Sequence, residues 1–480
     1  MTVSVEKISN VKLQLCWFRT DLRIHNNPAL SNALASGPTL AIYIATPTQW
    51  QLHDDAAIKL DFWRRNLAEL KTQLGKRNVD LLFFQVAEYK DIPELLHKML
   101  SSFKVAHLHY NREYPLNETR RDALVDAACA QQGVAVSSFR DQLLVSPQEA
   151  LNQSGSAFKV FTPFARKVLG QIQSDTALYD RPDAPRGNTT VTPPVEPLEE
   201  QRDLANIDWP HPNQQWEQDW PAGEAAATSQ MEEFAQNRIA DYKLQRDIPS
   251  IESSSQISAY LNCGVISVAE CWRAAQKYYD NSGVETWRNE LLWREFYRHT
   301  VYHFPHVCTH RVYRESASLI PWRHDVKDFE SWCLGRTGYP LVDAGMRQLA
   351  SSGWMHNRLR MVTAMFLSKH LLIDWRWGER WFMQHLIDGD FASNNGGWQW
   401  SASTGVDAAP YFRIFNPTRQ SQRFDAEGAY IHRHVPELTQ LRGKYIHEPA
   451  DSCPADYPSP IVEHKFARER ALNAFKSSQD

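Results

Sequence analysis

The first 140 residues alternate short apolar runs with segments of helical periodicity, and this alternation restricts the fold more than any other feature. A short run that is apolar throughout predicts a strand buried on both faces. Strands that alternate with helices predict a parallel sheet covered by helices on both sides. The predicted strands are 13–18, 39–45, 80–86, 105–110 and 134–139, with helices at 56–76 and 92–103. The sequence therefore predicts a doubly wound α/β domain over residues 1–140.

The turn after the first predicted strand argues against a nicotinamide dinucleotide site. Residues 17–23 read WFRTDLR. They include none of the glycines that let a backbone approach a pyrophosphate. A standard NAD-binding turn is therefore not expected in this domain.

A change of composition separates this domain from the rest of the chain. Residues 175–227 are rich in Pro, Gln, Glu and Asn, which disfavours helices and central strands, and we assign 141–227 to an interdomain connector. Ser229 and Glu232 fit a capping box, and helical periodicity dominates from there to about residue 387. We expect helices at 231–245, 257–261, 268–279, 285–302, 326–334, 339–351, 357–373 and 378–385. The predicted fold class is α/β plus all-α, with residues 228–480 forming the helical domain.

Hydropathy, cysteine usage and charge exclude several classes of protein. No apolar run approaches the roughly 18 residues that a membrane helix needs, and the first twelve residues resemble neither a signal nor a transit peptide. Seven scattered cysteines without a C-x-x-C pair fit a reducing compartment rather than a disulfide framework or a zinc finger. A net charge of −4 argues against bulk coating of nucleic acid. We expect a cytoplasmic protein whose DNA binding, if any, uses a local basic patch.

Tryptophan is unusually abundant, and its distribution is uneven. The chain contains 17 tryptophans, and those from Trp272 to Trp400 crowd into little more than a quarter of its length. One interpretation is a core filled by indole rings. The other is that some of these rings bind a ligand.

Two predicted helices place chemically active side chains on one face. Glu290, Trp293, Arg294 and Tyr297 recur at helical spacing, so a carboxylate and a guanidinium share a stripe with two aromatic rings. An exposed Glu–Arg pair beside incidental aromatic rings is the alternative interpretation. The second helix presents Asn357, Arg360, Met361 and Ala364, with Arg358 alongside, as a ligand-binding face or an amphipathic surface.

Three further segments suggest ligand contacts. Residues 388–417, rich in Gly and Asn, resemble a functional loop; their acids and amides do not fit a calcium loop and suit a heterocyclic ligand better. Three serines at 253–255 precede a short predicted helix and could cradle a phosphate, although serines also cap most helices. Histidines at 299, 303, 306 and 310 recur at spacings of 4, 3 and 4, but Pro305 interrupts that helix, and we expect no metal site.

Several long motifs resemble the photolyase and cryptochrome family. They are WFRTDLR at 17–23, FKVFTPF at 158–164, WREFY at 293–297, TGYP at 337–340, WMHNRLRM at 354–361 and the stretch 388–417. The resemblance covers nearly the whole chain, and within the family it favours bacterial class I cyclobutane pyrimidine dimer photolyases of the folate-antenna type. It implies an N-terminal antenna domain, a helical domain that binds FAD and DNA, and light-driven splitting of pyrimidine dimers as the activity.

The resemblance also implies a role for individual residues. It assigns the flavin and its phosphates to Tyr242, Ser254, Ser255, Gln256, Ile257, Ser258 and Trp287. It assigns the isoalloxazine and ribityl region to Asn357, Arg360, Asp388, Gly389 and Asp390, with Asn394 facing flavin N5. The antenna, 5,10-methenyltetrahydrofolate, would contact Asn117, Glu118 and Cys308.

For the lesion, the resemblance implies that Glu290 hydrogen-bonds the flipped-out dimer and stabilises its radical anion. It implies that Trp293 and Trp400 stack on the dimer and that Met361 packs beside it. Further contacts to the lesion or the DNA would come from Arg294, Tyr297, Asn357, Arg358 and Arg419. An electron relay that photoreduces the flavin would consist of Trp398, Trp375 and Trp322. We interpret the other tryptophans of this region as core residues, namely Trp272, Trp332, Trp354, Trp377 and Trp381.

Two rival functions exist within the same family. A cryptochrome-type light sensor would signal through partners, and Asn394, Glu290 and Met361 favour repair instead. A (6-4) photolyase needs two histidines as acid and base, where residues 354–358 here read WMHNR. We therefore expect a monomer that acts on DNA carrying cyclobutane dimers, associates with the nucleoid when bound to DNA, and needs neither a membrane nor an obligate protein partner.

Overall fold

The computed structural model describes residues 13–179, 188, 197–212 and 216–478. Expectations about the first twelve residues, and about residues 180–187, 189–196 and 213–215 of the connector, lie outside these ranges. The chain divides into two compact units. The first comprises residues 1–150, 167–233 and 256–277, and the second comprises 151–166, 234–255 and 278–480. The expected boundaries at 140 and 227 remain predictions.

The first unit is built on a six-stranded sheet in which β1 and β2 are buried along their whole length. The strands are β1 (Leu13–Phe18), β2 (Thr39–Ala45), β3 (Leu81–Gln85), β4 (Val105–Asn111), β5 (Ala135–Phe139) and β6 (Gln201–Arg202). They lie in the order β5-β4-β1-β2-β3-β6; the first five are parallel, and β6 pairs with β3 in the antiparallel sense. The five predicted strands are confirmed to within one residue at each end, and so is the doubly wound parallel architecture.

Helices account for most of the remaining regular structure. The helices up to residue 275 are α1 (Pro28–Ser36), α2 (Pro47–Leu52), α3 (Ala57–Gly75), α4 (Ile92–Ser102), α5 (Leu116–Gln131), α6 (Phe161–Ser174), α7 (Glu224–Asn237), α8 (Tyr242–Gln245), α9 (Ser258–Cys263) and α10 (Val268–Ala275). Those that follow are α11 (Ser282–His303), α12 (Val326–Cys333), α13 (Pro340–Ser352), α14 (Asn357–Met365), α15 (Trp375–Met383), α16 (Phe391–Ser401), α17 (Pro417–Phe424), α18 (Ala429–His434), α19 (Lys444–His447) and α20 (His464–Ser477). The prediction of a helical C-terminal domain is confirmed.

The start of the first helix after the connector was predicted wrongly. Helix α7 begins at Glu224, so Ser229 and Glu232 lie inside it and do not form its capping box. Three consecutive alanines at 225–227 favour the earlier start, and the backbone N–H of Gly223 donates to Asn66 Oδ1 at 2.7 Å just before it. The helix then ends at Asn237, so the predicted helix 231–245 is interrupted before α8.

The segment 388–417 is not a continuous loop, because α16 occupies its first half. Asp390 caps this helix by accepting a hydrogen bond from the backbone N–H of Ser393 at 2.8 Å. Glycines 396 and 397 disfavour a helix on propensity alone, but packing against neighbouring helices overrides that preference here. The side chains of residues 390–400 therefore have fixed positions on a helix.

The core of the second unit contains a change of helical pitch. Helix α14 passes directly into one π-helical turn, Phe366–His370, whose residues are all buried. The predicted helix 357–373 is thus an α-helix followed by a wider turn, a feature often found at functional sites. Trp332, Trp375 and Trp398 belong to the same buried cluster as this turn. No helix among the described residues is long and apolar enough to cross a membrane.

Candidate active site

A row of alternating charges lies along one side of α11. The Glu290 carboxylate, 31% exposed, accepts a hydrogen bond from the Arg246 guanidinium. Arg246 Nε lies 3.9 Å from Asp247 Oδ1, and the same oxygen lies 2.8 Å from Nη2 of Arg358. The sequence predicted Glu290 and Arg358 as site residues and missed Arg246 and Asp247. No periodicity links residues 44 positions apart.

The carboxyl group of Glu290 lies in a partly desolvated environment, which changes its pKa. Burial raises the pKa of Glu290, Arg246 opposes this shift, and Asp247 adds to it. Burial and then the charge of Glu290 raise the pKa of Tyr242, which places that phenol within electrostatic reach of the carboxylate. Glu290 therefore lies in a setting where its hydrogen bonds are strengthened by the exclusion of water.

Helices α11 and α16 are in close contact next to this row. A Cβ atom added at Gly396 would lie 2.2 Å from Cδ1 of the Tyr297 ring, so only glycine permits the observed approach. Trp293 lies one turn before Tyr297 on α11 and is half-buried among aromatic rings. Trp400 is half-buried on α16, and its carbonyl accepts a hydrogen bond from the backbone N–H of Ala409 at 3.2 Å.

The arginines expected to meet DNA differ in their surroundings. Arg419 is exposed in the first turn of α17. Arg358 is only 15% exposed, its guanidinium carbon lies 4.3 Å from the centroid of Phe424, and it pairs with Asp247. Arg294 is half-buried and lowers the pKa of Asp390 together with Arg298. Of these three guanidinium groups, that of Arg419 is the most open to a phosphate.

Two ion pairs organise the region expected to hold the flavin ring. Arg360 Nη2 donates to both carboxylate oxygens of Asp388, at 3.0 and 2.8 Å. Arg298 Nη2 lies 2.6 Å from Asp390 Oδ2. Against the effect of burial, Arg298 and then Arg294 lower the pKa of Asp390, which keeps it ionised. Asp388 and Asp390 are therefore fixed acceptors on either side of Gly389.

The amide of Asn394 is held in one orientation. Its Nδ2 donates to the carbonyl oxygen of Glu379 at 2.9 Å, and the neighbouring Asn395 donates to Glu379 Oε1 at 2.7 Å. Asn395 Oδ1 in turn accepts from Gln399 Nε2 at 2.9 Å. This network connects α15 to α16 and presents a neutral amide at 394.

The serines before α9 provide hydroxyl groups. Trp287 Nε1 on α11 donates to Ser255 Oγ at 3.3 Å, and Arg238 Nη1 donates to the carbonyl of Ser254 at 3.1 Å. Gln256 has a φ of 51°, a left-handed conformation, and α9 begins two residues later at Ser258.

Taken together, the donor and acceptor set fits a flavin dinucleotide. The polar edge of a heterocycle and the ribityl hydroxyls could form hydrogen bonds with the carboxylates of Asp388 and Asp390 and with the amide of Asn394. The hydroxyls of Ser254 and Ser255 suit phosphate oxygens. Ile257 is buried directly after them, and Asn357 is exposed at the first position of α14.

The three tryptophans of the expected relay differ in exposure. Trp398 and Trp375 are buried and Trp322 is half-buried, all in or against one hydrophobic cluster. A Cβ atom added at Gly378 would lie 2.1 Å from the Trp398 ring, so the glycine gives the indole its space. Trp322 packs edge to face against Phe475, with ring centroids 5.9 Å apart. This gradient of burial is what a chain of rings leading to the surface requires.

In the first unit, the predicted antenna residues Asn117 and Glu118 lie beside a histidine that the sequence analysis missed. Asn117 Nδ2 lies 3.0 Å from His53 Nε2, and Glu118 Oε1 lies 4.0 Å from His53 Nδ1. Gln49 Nε2 also approaches His53 Nε2, at 2.9 Å. The i, i+4 spacing of Gln49 and His53 at the end of α2 is the sequence pattern from which this contact could have been predicted. Cys308 belongs to the second unit, where its thiol faces the carbonyl of Val301 at 4.0 Å.

No group of three His, Cys, Asp or Glu side chains with the geometry of a metal site occurs within the part of the chain that the structure describes. His299 lies 3.7 Å from Glu295 and packs against Phe164, so it belongs to a buried polar pair.

The fold and the site define a flavin-binding protein with a separate α/β domain, and two sequence families match it. Residues 14–185 match the family described as DNA photolyase, and residues 287–477 match the FAD binding domain of DNA photolyase. The chain belongs to the photolyase/cryptochrome family, which confirms the resemblance drawn from the motifs.

Individual relatives are similar over nearly the whole chain. The deoxyribodipyrimidine photo-lyase of Vibrio cholerae is 41% identical over 483 residues, covering 97% of this chain and 100% of its own. The crystal structure of a bacterial class III photolyase from Agrobacterium tumefaciens has a TM-score of 0.85 at 35% identity, covering 98% of both chains. That of an archaeal photolyase from Sulfolobus tokodaii with two FAD molecules has a TM-score of 0.82 at 30% identity, covering 97% of this chain and 100% of its own.

Proposed function

We propose that this chain is a deoxyribodipyrimidine photo-lyase, a light-driven DNA repair enzyme that splits cyclobutane pyrimidine dimers. The observation that carries the proposal is the contact between α11 and α16 at Tyr297 and Gly396. It brings the helix of Glu290 and Trp293 against the helix of Asn394 and Trp400. This contact supports our proposal that a carboxyl group, two aromatic rings and a neutral amide border one site, which is the set that a flipped dimer and a flavin require.

FAD is the cofactor of the reaction, and reduced FAD supplies an electron to the lesion when it absorbs light. Asp388, Asp390 and Asn394 hold its ring and ribityl groups, and Arg360 fixes Asp388 through two hydrogen bonds. Tyr242, Trp287 and the segment 254–258 hold the dinucleotide. The protein supplies orientation and exclusion of water, and the neutral amide of Asn394 suits a fully reduced ring better than a carboxylate would.

The lesion leaves the DNA stack before it reacts. A damaged base pairs poorly, which reduces the few kcal/mol that extrusion costs, and photolyases are among the established examples of base flipping. Trp293 and Trp400 stack on the dimer, with Met361 packing beside it. Glu290, whose pKa is raised by burial, donates a hydrogen bond to the dimer from its protonated carboxyl group and so stabilises the negative charge that the dimer receives. Arg294, Arg358 and Arg419 contact phosphates and make the affinity depend on salt despite the net negative charge.

Trp398, Trp375 and Trp322 relay electrons from the surface when the flavin has become oxidised. The burial of the first two and the partial exposure of the third support this order. The relay is separate from repair itself, because an enzyme whose flavin is already reduced does not need it.

A second chromophore collects light in the first unit. We propose 5,10-methenyltetrahydrofolate, held by Asn117 and Glu118 with His53. Sulfolobus tokodaii photolyase carries a second FAD, so the test is the absorption spectrum of the purified protein. A near-ultraviolet folate band supports the proposal, and a spectrum that flavin alone explains contradicts it.

The decisive experiment illuminates the purified, reduced protein with blue light in the presence of an oligonucleotide that contains one thymine dimer. We expect loss of the dimer and recovery of two thymines, with no reaction in the dark. Absence of dimer loss under illumination would refute repair and favour a light sensor. We also propose that the enzyme is cytoplasmic, acts as a monomer without a protein partner, and associates with the nucleoid when it binds DNA. Size-exclusion chromatography of the same sample tests whether it is a monomer.

A further inference from the structure

Lys369 is a fully buried lysine at the centre of the second unit. It lies in the π-helical turn that follows α14 and has no exposed surface. Its ammonium group donates to Ser403 Oγ at 2.8 Å and to the carbonyl oxygens of Tyr411 and Arg413, both at 3.2 Å. One side chain therefore holds both ends of the segment 403–413, which we call the clamp loop.

The clamp loop is attached to both tryptophans that stack on the lesion in the proposed function. The backbone N–H of Ala409 donates to the carbonyl of Trp400 at 3.2 Å. Asp407 Oδ2 accepts from the backbone N–H of Phe161 at 3.0 Å, and the ring of Phe161 stacks on Trp293. The clamp loop is therefore linked directly to the backbone of Trp400 and, through Phe161, to the ring of Trp293.

The backbone of the clamp loop is strained and needs such attachments. Ser403 has a φ of 63° and Asp407 a φ of 44°, in the left-handed region that is unfavourable for residues other than glycine. Such conformations persist only when the surrounding structure holds them. The three hydrogen bonds from Lys369 provide this restraint.

Burying a lysine is costly, which argues against a role as simple filler. Burial, and then the nearby charge of Arg413, lower the pKa of Lys369 to about 7. A methionine would fill the same volume without a buried charge. The hydrogen-bonded Lys369 amino group therefore indicates a function in the geometry of the loop.

We infer that Lys369 is a positioning residue for lesion recognition, which clamps residues 403–413 and so holds Trp293 and Trp400 at the spacing of a flipped pyrimidine dimer. This inference rests on the proposed function. Lys369 does not touch the lesion itself, and it acts through the loop.

The test is the variant Lys369→Met in the flavin-loaded protein, measured with dimer-containing and undamaged DNA. We expect the Kd for the dimer to rise about tenfold, the equivalent of about 1.4 kcal/mol. The Kd for undamaged DNA, the repair yield at saturating DNA and the rate of flavin photoreduction should stay within about twofold of wild type. Lys76→Met, which removes an exposed charge from the first unit, is the matched control and should change none of them.

A folded Lys369→Met protein with wild-type affinity for the dimer would overturn the inference, and so would equal losses for damaged and undamaged DNA. If Lys369→Met does not fold, Ser403→Ala and Asp407→Ala loosen the loop at single points. The double variant should lose less binding free energy for the dimer than the two single variants lose together, because both substitutions act through one loop. Strict additivity would contradict the clamp. Wild-type protein that fails to repair dimers would refute the proposed function instead.

Discussion

The rings of Phe161 and Trp293 stack with their centroids 3.8 Å apart and their planes within 6° of parallel. Phe161 lies at the start of α6, more than a hundred residues before Trp293, so the stack fixes the indole by a contact distant in sequence. One face of Trp293 is thereby covered. A base that stacks on Trp293 must use the opposite face, which gives the proposed lesion pocket a defined wall.

Removal of this wall should weaken lesion binding specifically. Stacking of a base on an aromatic ring contributes about 1–3 kcal/mol, so Trp293→Ala should raise the Kd for dimer-containing DNA roughly 5- to 150-fold. Phe161→Ala should have a smaller effect, because it removes only the support of the ring, worth about 0.5–1.5 kcal/mol. Titration of a dimer oligonucleotide measures both. A larger effect of Phe161→Ala than of Trp293→Ala would contradict this arrangement.

Glu290→Ala should lower the yield of repair more than it weakens binding. The carboxyl group stabilises charge that appears on the dimer only after electron transfer, so the substitution removes an interaction that is weaker before the reaction. The measurement compares the repair yield at saturating DNA with the Kd. Glu290→Gln keeps a hydrogen-bonding group and should retain more yield than Glu290→Ala. Equal losses of yield and affinity in Glu290→Ala would be inconsistent with the assigned role.

Gly378→Ala should disturb Trp398. The added methyl group would lie 2.1 Å from the indole and 2.6 Å from Leu367, and overpacking of this kind costs about 1–3 kcal/mol. We expect a lower melting temperature and slower photoreduction of oxidised flavin. Gly397→Ala is the matched control, because an added Cβ there meets no described atom within 4 Å. If both variants photoreduce at the wild-type rate, the position of Trp398 does not matter to the relay.

Trp322→Phe should separate the relay from repair. Phenylalanine keeps the ring packing but is much harder to oxidise than tryptophan, so electrons should no longer reach the buried Trp375 and Trp398. Photoreduction of oxidised flavin should stop, while chemically reduced enzyme should repair dimers at the wild-type yield. Normal photoreduction in this variant would remove Trp322 from the relay.

The stability of the protein should depend on pH through Lys369. Burial and then the charge of Arg413 lower the pKa of Lys369 to about 7 in the folded protein, from the ordinary value of 10.5 in the unfolded chain. Between these values the unfolded chain binds more protons, so this group makes the free energy of unfolding rise with pH by about 1.4 kcal/mol per unit. Lys369→Met should lack this contribution. Urea unfolding of both proteins at pH 7, 8 and 9 measures the difference, and parallel pH profiles would show that Lys369 titrates normally.

The sequence predicted the sheet well and the site unevenly, for identifiable physical reasons. Strands β1 and β2 were placed to the residue because burial along the whole strand leaves short, mostly apolar runs. Helix α16 was missed because its glycines and asparagines are poor helix formers, and the contact that requires Gly396 lies on another helix. The ion pair of Arg246 with Glu290 and the contacts of Lys369 join residues far apart in the chain, so no local pattern reports them.

The glycine at 396 has a consequence for the rate of the proposed electron transfer. The Tyr297 ring lies where a side chain at 396 would be, so a larger residue there would force α11 and α16 apart. Asn394, which we propose faces the electron donor, and Glu290, which we propose contacts the acceptor, lie on these two helices. Tunnelling between two molecules weakens steeply with each added ångström. The donor-to-acceptor distance therefore depends on a residue that carries no functional group at all.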